Sequence, residues 1–508
     1  MQEKFGIIDI GSNTMRLVIY RHEQNGRFKE IENIKIVARL RNFLDQDDCL
    51  IENGMNILLD TLKNFEDITK YHAVTNVKVV ATATVRHAKN QQEIIKKIHE
   101  STNFKVRILT DYEEAYYGYL AVINSTSITE GITIDIGGGS TEVTYFENRK
   151  LIHYYSFPFG VLSLRQQFFS DNIATQDELN RLARYLINEI ESIEWLKDKK
   201  VPLIGIGGSA RNIAQIDQRR KMYPLGGLHQ YEMTGIDLMM VRNNLVTLPY
   251  EELLKVEGLS KDRADIIIPA IEVFNVFFHY TDASSFILSR KGLRDGLFFE
   301  ELLKPLEINM FPNVIEESLF ELEYEYEINI NNVIQVSRLA EDLLQSLRKI
   351  GFICITDGHL KETKQAAFLF QLGSYIDDEA CSQHTFYLLA NRTIDGFTHV
   401  ERLRLAAIAS FKSKSNLKQY MEPFIDWISK EELAVIRITG AVLRFAYALN
   451  ETKRNIVDQI DIIAQQENLI ITIYCSNNWK AEQYQAEKQK KHLEKALKRN
   501  IILKFIRL

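Results

Sequence analysis

Phe5-Gly6-Ile7-Ile8-Asp9-Ile10-Gly11-Ser12-Asn13-Thr14-Met15-Arg16-Leu17-Val18 is answered further along the chain by Gly131-Ile132-Thr133-Ile134-Asp135-Ile136-Gly137-Gly138-Gly139-Ser140-Thr141-Glu142-Val143-Thr144, with Asp9 standing opposite Asp135 and Gly11 opposite Gly137. Each copy reads as strand, tight turn, strand. β-Branched apolar residues run into an Asp, and Gly, Ser and Asn then supply a turn whose backbone N–H groups can approach phosphate oxygens. The doubling predicts two related α/β halves facing one another across a phosphate, with an aspartate of each at a strand end aimed at a metal.

Other segments fill in this plan. Ala81-Thr82-Ala83-Thr84-Val85-Arg86, Glu113-Glu114-Ala115, Gly205-Ile206-Gly207-Gly208-Ser209-Ala210-Arg211-Asn212 and Gly292-Leu293-Arg294-Asp295-Gly296 follow the same order as motifs of a known family. The paired hairpins resemble the actin, hexokinase and heat-shock-chaperone superfamily. With Asp135-Ile136-Gly137-Gly138-Gly139-Ser140-Thr141-Glu142 as the fifth, these motifs together resemble the exopolyphosphatase and guanosine pentaphosphate phosphohydrolase family, most like a bacterial exopolyphosphatase. The resemblance implies an α/β fold with two actin-like (ribonuclease H-like) domains facing a cleft, then a helical domain and a small C-terminal α/β domain.

The expected boundaries are 1–125 and 126–304 for the two actin-like domains and 305–330 for a linker. A helical domain spans 331–450 and the small α/β domain 451–508. Val333, Val336, Leu339, Leu343 and Leu347 keep helical spacing. The acidic stretch of Glu316, Glu317, Glu321, Glu323, Glu325 and Glu327 reads as a solvated helix face.

Composition narrows the partners. With 508 residues and a net charge of −6, the chain has no overall attraction for a polyanion, so an anionic substrate must be drawn by local charge. Cys49, Cys354, Cys381 and Cys475 show no CxxC spacing, which suggests neither a zinc knuckle nor a disulfide framework. Without an apolar run of about 20 residues or an N-terminal signal pattern, the expectation is a cytoplasmic, soluble protein with no membrane or specific nucleic-acid partner.

Hydrolysis of a phosphoanhydride requires a cationic clamp, backbone donors for the terminal phosphoryl group, and a carboxylate that orients or deprotonates water. Asp9, Asp135 and Glu142 are hard oxygen donors suited to Mg²⁺, with Mn²⁺ as an alternative. Asp135 and Glu142 are also candidate catalytic groups. Ser12, Asn13, Gly138, Gly139, Ser140, Gly208 and Ser209 offer hydroxyl, amide and backbone donors to phosphate. By resemblance, Glu114 is the catalytic base and Arg86 the phosphate-binding arginine. Glu113 would point about 100° away on the helix. Arg16 and Arg211 are weaker anion ligands, and the run Arg219-Arg220-Lys221 could hold further phosphates at the rim.

Longer family members carry a helical domain resembling metal-dependent phosphohydrolases with adjacent His and acidic ligands, but Phe370 and Gln371 stand at that place here. Phe cannot ligate a metal and an amide is a poor substitute for carboxylate, so no chemistry is expected of this domain. Its expected work is widening a substrate channel or forming a homodimer, as is common in the family. The basic helix around Lys488 to Arg499 could guide an anionic chain. The leading expectation is a Mg²⁺-dependent exopolyphosphatase acting on inorganic polyphosphate. Its alternatives are a guanosine pentaphosphate 5′-phosphohydrolase and, from another class, a nucleotide-binding actin-like sensor.

Overall fold

A computed structural model of the chain describes residues 3–23, 28–170, 173–351 and 355–508; Cys354 lies outside them. The described part forms two compact units, residues 1–223 with 228–312, and residues 224–227 with 313–508.

In the first unit, β1 (Lys4–Ile10), β2 (Thr14–His22) and β3 (Phe28–Val37) are followed by α1 (Glu52–Tyr71), β4 (Asn76–Ala81), α2 (Ala83–His87), α3 (Gln91–Ser101), β5 (Val106–Ile108) and α4 (Asp111–Ile123). Then come β6 (Gly131–Ile136), β7 (Thr141–Glu147), β8 (Lys150–Phe157), α5 (Val161–Phe168), α6 (Gln176–Glu191), β9 (Leu203–Ile206) and α7 (Gly207–Arg220). β10 (Tyr231–Met233), α8 (Gly235–Leu245), α9 (Tyr250–Leu253), α10 (Ile267–Tyr280), β11 (Phe286–Leu288) and α11 (Leu293–Leu303) complete it.

The two sheets repeat one topology. The first has the order β3-β2-β1-β4-β5 and the second β8-β7-β6-β9-β11, with β10 added at the edge. In each, an antiparallel hairpin leads and parallel strands follow. The sequence repeat is therefore a structural duplication. The turns match as well: the Gly11 N–H donates to Thr14 O at 3.1 Å and the Gly137 N–H to Ser140 O at 2.9 Å.

Apolar cores sit on either side. Ile8, Leu17, Leu58, Phe65 and Val79 fill the first domain, and Ile134, Leu182, Ile213, Phe274 and Phe286 the second. A third cluster, with Phe5, Ile7, Val80, Tyr117, Phe146, Ile204 and Leu297, links the two sheets through α4 and α11. Gly296 makes that approach possible, because a Cβ there would collide with the Tyr117 backbone carbonyl.

In the second unit, α12 (Val314–Glu325), α13 (Ile330–Lys349), α14 (Asp357–Phe368), α15 (Cys381–Asn391), α16 (His399–Ala409), α17 (Lys414–Met421) and α18 (Lys430–Ala448) precede β12 (Val457–Gln465), β13 (Asn468–Cys475), α19 (Lys480–Leu497) and β14 (Asn500–Arg507). The three strands form one sheet in the order β12-β13-β14. Arg338 and Gln335 of α13 donate to the Val457 carbonyl at 2.5 and 2.6 Å, tying the first of these strands to the helices.

Among the strands that escape the sequence reading are β8 and β12. Charged and polar residues break their apolar runs, and β8 is an edge strand whose side chains are largely exposed. Within the expected linker, Val314–Glu325 is a capped helix: the Asn313 side chain accepts from the N–H groups of Ile315 and Glu316.

Candidate active site

The site begins with register. Asp9 pairs across β1–β2 with Arg16, whereas Asp135 pairs across β6–β7 with Glu142. The same position of the duplicated hairpin thus carries a cation in one domain and an acid in the other. The two turns meet, since a Cβ on Gly138 would lie 2.8 Å from the Ser12 Cβ and 3.5 Å from the Asn13 backbone nitrogen. Their bare backbones face the same space.

α4 delivers the next carboxylate. Thr110 caps the helix by accepting from the Glu113 N–H at 3.2 Å, and the Glu113 carboxylate accepts from the Thr110 N–H at 2.9 Å. Glu113 also pairs with Arg107. Its role is therefore structural, a capping box of the usual kind. One residue on, Glu114 turns inward and accepts from Arg86 at 2.8 Å. Arg86 further donates to Leu109 O at 2.9 Å and pairs with Asp111 at 2.6 Å, so its guanidinium holds Glu114 in place.

Burial pushes the Glu114 carboxyl up to about 7 against the opposing pull of Arg86, and the charges of Asp135 and Asp9 raise it further. Asp135 is pushed up to about 6, by burial first and then by repulsion from Asp9. Burial and the neighbouring Glu114 hold Glu142 well above the usual carboxylate range, while Ser156 donates to it at 3.1 Å. Asp9 is raised by burial, offset in part by Arg294, which donates to it at 3.1 Å, and by Arg16. Four acids sharing one buried site, one of them near neutrality, is the electrostatic pattern of acid–base catalysis.

Cations surround these acids. Burial and the charges of Arg294 and Arg211 bring Arg16 down to about 10. Arg211 feels Arg290, Arg294 and Arg263 at close range. The Nε atoms of Arg16 and Arg211, the Thr84 hydroxyl and both amide atoms of Asn13 are buried without a hydrogen-bond partner among the described residues. Buried polar groups are normally satisfied, so these donors, and the Asn13 Oδ1 as an acceptor, are groups that a ligand could complete. Arg41 adds another, its guanidinium lying 2.9 Å from where a Gly139 Cβ would be.

α7 starts at Gly207, so the amides of Gly208 and Ser209 belong to its first turn, where anions bind. Gly207 has φ +83°, and a Cβ there would come within 2.6 Å of Asp135 Oδ1. Gly208 lies flat against the Arg263 guanidinium, which also donates to the Ser209 hydroxyl at 3.2 Å. Ser140, beside Glu142, is buried in the second hairpin.

One expectation changes. Arg220 and Lys221 pair with Asp217 and Asp237 at 2.7 to 2.9 Å, which commits them to the protein and not to further phosphates. His229 is buried as a strut, its Nε2 2.9 Å from Ser125 O and its Nδ1 accepting from the Arg290 N–H at 3.2 Å. Sequence reasoning missed Arg41, Thr84, Arg263 and Arg294. The last lay within a recognised motif whose purpose, gripping Asp9, only the fold reveals.

As for a metal, no group of three or more His, Cys, Asp or Glu is close enough to hold an ion among the described residues. Mg²⁺ needs only one or two protein carboxylates beside water and substrate phosphate. Asp9 and Asp135 fit that demand, since burial raises both carboxyls and the charge of Asp9 raises Asp135 further, a repulsion that a hard cation would relieve.

A duplicated α/β hairpin fold, with the two Gly-rich turns meeting at a carboxylate cluster, defines the actin-like class of fold. The chain belongs to the Ppx/GppA phosphatase family, whose pattern it matches over residues 18–305, and it matches that family's domain III over residues 314–495. The Aquifex aeolicus family member is 26% identical, with a TM-score of 0.53 over 61% of this chain and 100% of that one. An exopolyphosphatase from Cytophaga hutchinsonii shares the fold at 24% identity and a TM-score of 0.55, covering 59% of this chain and 98% of that one. No described helix is long and apolar enough to cross a membrane.

Proposed function

We propose that the protein is an exopolyphosphatase that releases orthophosphate from the end of inorganic polyphosphate with Mg²⁺, or Mn²⁺ in its place. The observation that carries this reading is Glu114, raised to about 7 beside the junction of two phosphate loops. The terminal phosphoryl group sits against the turn amides of the two hairpins and the first turn of α7. Water attacks phosphorus on the side opposite the bridging oxygen. Glu114 takes the water proton as the P–O bond to the shortened chain breaks, and Arg86 keeps its carboxylate in position. The ion, held by Asp9 and Asp135, would supply positive charge to the phosphate oxygens. Glu142 keeps a proton near Glu114 and completes the acid–base pair.

Arg16, Arg211, Arg263, Arg290 and Arg294 extend the positive field beyond one phosphate, which suits a chain polyanion. The same cleft would accept guanosine pentaphosphate, and the two substrates are separated by a side-by-side rate comparison. As in the family, we infer a cytoplasmic homodimer, checked by light scattering of the purified chain. An actin-like sensor would bind nucleotide and leave polyphosphate intact, so orthophosphate release from polyphosphate would exclude it.

A further inference from the structure

Arg39 follows β3 in the left-handed region, at φ 45° and ψ 43°, a conformation that a residue with a Cβ adopts at a cost and keeps where its surroundings fix it. Here they fix it from two sides. The Arg39 N–H donates to Asn13 O at 2.9 Å and the Arg41 N–H to Ser12 O at 3.3 Å, so the segment after β3 braces the turn of the first hairpin. The Arg39 guanidinium reaches into the second actin-like domain, donating to the two carboxylate oxygens of Asp265 at 2.8 and 3.2 Å and to Asp262 O at 3.0 Å. Beside it, Lys35 pairs with the Asp262 carboxylate at 2.8 Å.

Asp262 and Asp265 lie between α9 and α10, in a segment fastened to the start of α7. The Ser260 N–H donates to Asn212 Oδ1 at 2.6 Å, and the Asn212 amide donates in turn to Gly208 O at 2.8 Å. Arg263, between the two aspartates, lies on Gly208, donates to the Ser209 hydroxyl at 3.2 Å, and is near enough to Asp135 for its charge to favour the carboxylate. The Arg39–Asp265 pair therefore joins elements that carry candidate phosphate donors in both domains: Ser12 and Asn13 on one side, Gly208 and Ser209 on the other. Its side chains are 31% and 27% exposed, and a bidentate, partly shielded pair fixes geometry better than a surface pair with one contact.

We propose that Arg39 and Asp265, helped by Lys35 and Asp262, are positioning residues: a clasp that sets the first hairpin turn and the first turn of α7 at the spacing required by a phosphate group held by both. Each acts through another residue, Arg39 through the Asn13 turn and the aspartates through Arg263. The inference rests on reading the cleft as a phosphate site, whichever phosphoanhydride it takes. A loosened clasp separates the donors in the ground state and the transition state alike, which raises KM and leaves kcat nearly unchanged.

The test titrates tripolyphosphate with Mg²⁺ by calorimetry into the full-length chain carrying Glu114→Gln, and measures orthophosphate release from tripolyphosphate by the chain with Glu114 intact. Arg39→Gln and Asp265→Asn should each weaken binding about tenfold, the loss of one charge-assisted bidentate contact. The double variant should bind no more weakly than either single one, since both remove the same pair. Arg39→Lys, which keeps the charge without the fork, should fall between. With Glu114 intact, KM should rise by the same factor while kcat changes less than about threefold. A merely structural role would lower the melting temperature and leave the affinity of the folded protein unchanged, and that result overturns the proposal. Losses that multiply in the double variant, a fall in kcat without a change in affinity, or no binding of tripolyphosphate at all overturn it as well. Binding that follows the clasp variants without orthophosphate release from the chain with Glu114 intact supports the clasp and refutes the hydrolytic reading alone.

Discussion

Glu114→Gln removes the proton acceptor while keeping the shape and the ability to accept from Arg86. A positioned base contributes about 10²–10⁴-fold, so kcat should fall by that factor with KM nearly kept. The same substitution has a stability signature. The carboxyl rises from 4.5 to about 7 on folding, and at about 1.4 kcal/mol per tenfold in proton affinity this sets about 3 kcal/mol against the ionised folded form. Because the folded-state value is raised, the folded protein holds the proton more tightly. Stability attributable to this group is therefore full below about pH 4.5 and is lost as pH climbs to about 7. The amide has no such loss, so the variant should melt higher than the parent at pH 8 and the two should converge near pH 5. Activity runs the other way: the parent's kcat/KM should climb with pH to a plateau above about 7, and the variant should lack that limb. The assays are a malachite-green rate profile and calorimetric melting across pH 5–8. A variant that keeps a tenth or more of parental kcat, or the same ascending limb, refutes the assignment of Glu114 as base.

Glu113→Gln should change turnover less than about threefold, because Gln still accepts from the Thr110 N–H in a capping box; steady-state rates check it. Asp135→Asn should raise the Mg²⁺ concentration for half-maximal rate at least about tenfold, since an amide loses the charge a hard cation prefers, and full parental activity in excess chelator would contradict the metal assignment. Gly207→Ala forces a Cβ toward Asp135 from a φ of +83° and should lose about 1–3 kcal/mol in denaturant titration together with most activity. Ending the chain after Pro312 should leave short polyphosphate cleaved while long chains are released between cuts, read as a ladder of intermediate lengths; identical ladders from full-length and shortened protein would remove the basic C-terminal helix from processivity.

Much of the fold was legible because the hairpins carry local chemistry. An Asp followed by Gly and small polar residues permits little besides a tight turn, and its repetition announced the duplication that the matching strand orders bear out. The 3.6-residue spacing from Val333 to Leu347 gave the helix Ile330–Lys349 for the same local reason. β8 and β12 were illegible because edge strands need no continuous apolar run. In the site, Glu114 came from resemblance, and its separation from Glu113 is a helical rotation that sequence can state. Arg294 gripping Asp9 and Arg263 lying on Gly208 join residues far apart in the chain. Such contacts leave no periodic or spacing signal. Arg220 and Lys221 misled for the opposite reason: a basic run looks available until the fold brings Asp217 and Asp237 beside it.

The most direct measurement of the central claim is kcat/KM for long polyphosphate, guanosine pentaphosphate and ATP on one preparation with Mg²⁺, with released orthophosphate as the common readout. The account predicts the highest value for long polyphosphate and its loss in Glu114→Gln. A preference of tenfold or more for guanosine pentaphosphate, or no orthophosphate release from polyphosphate, would contradict it.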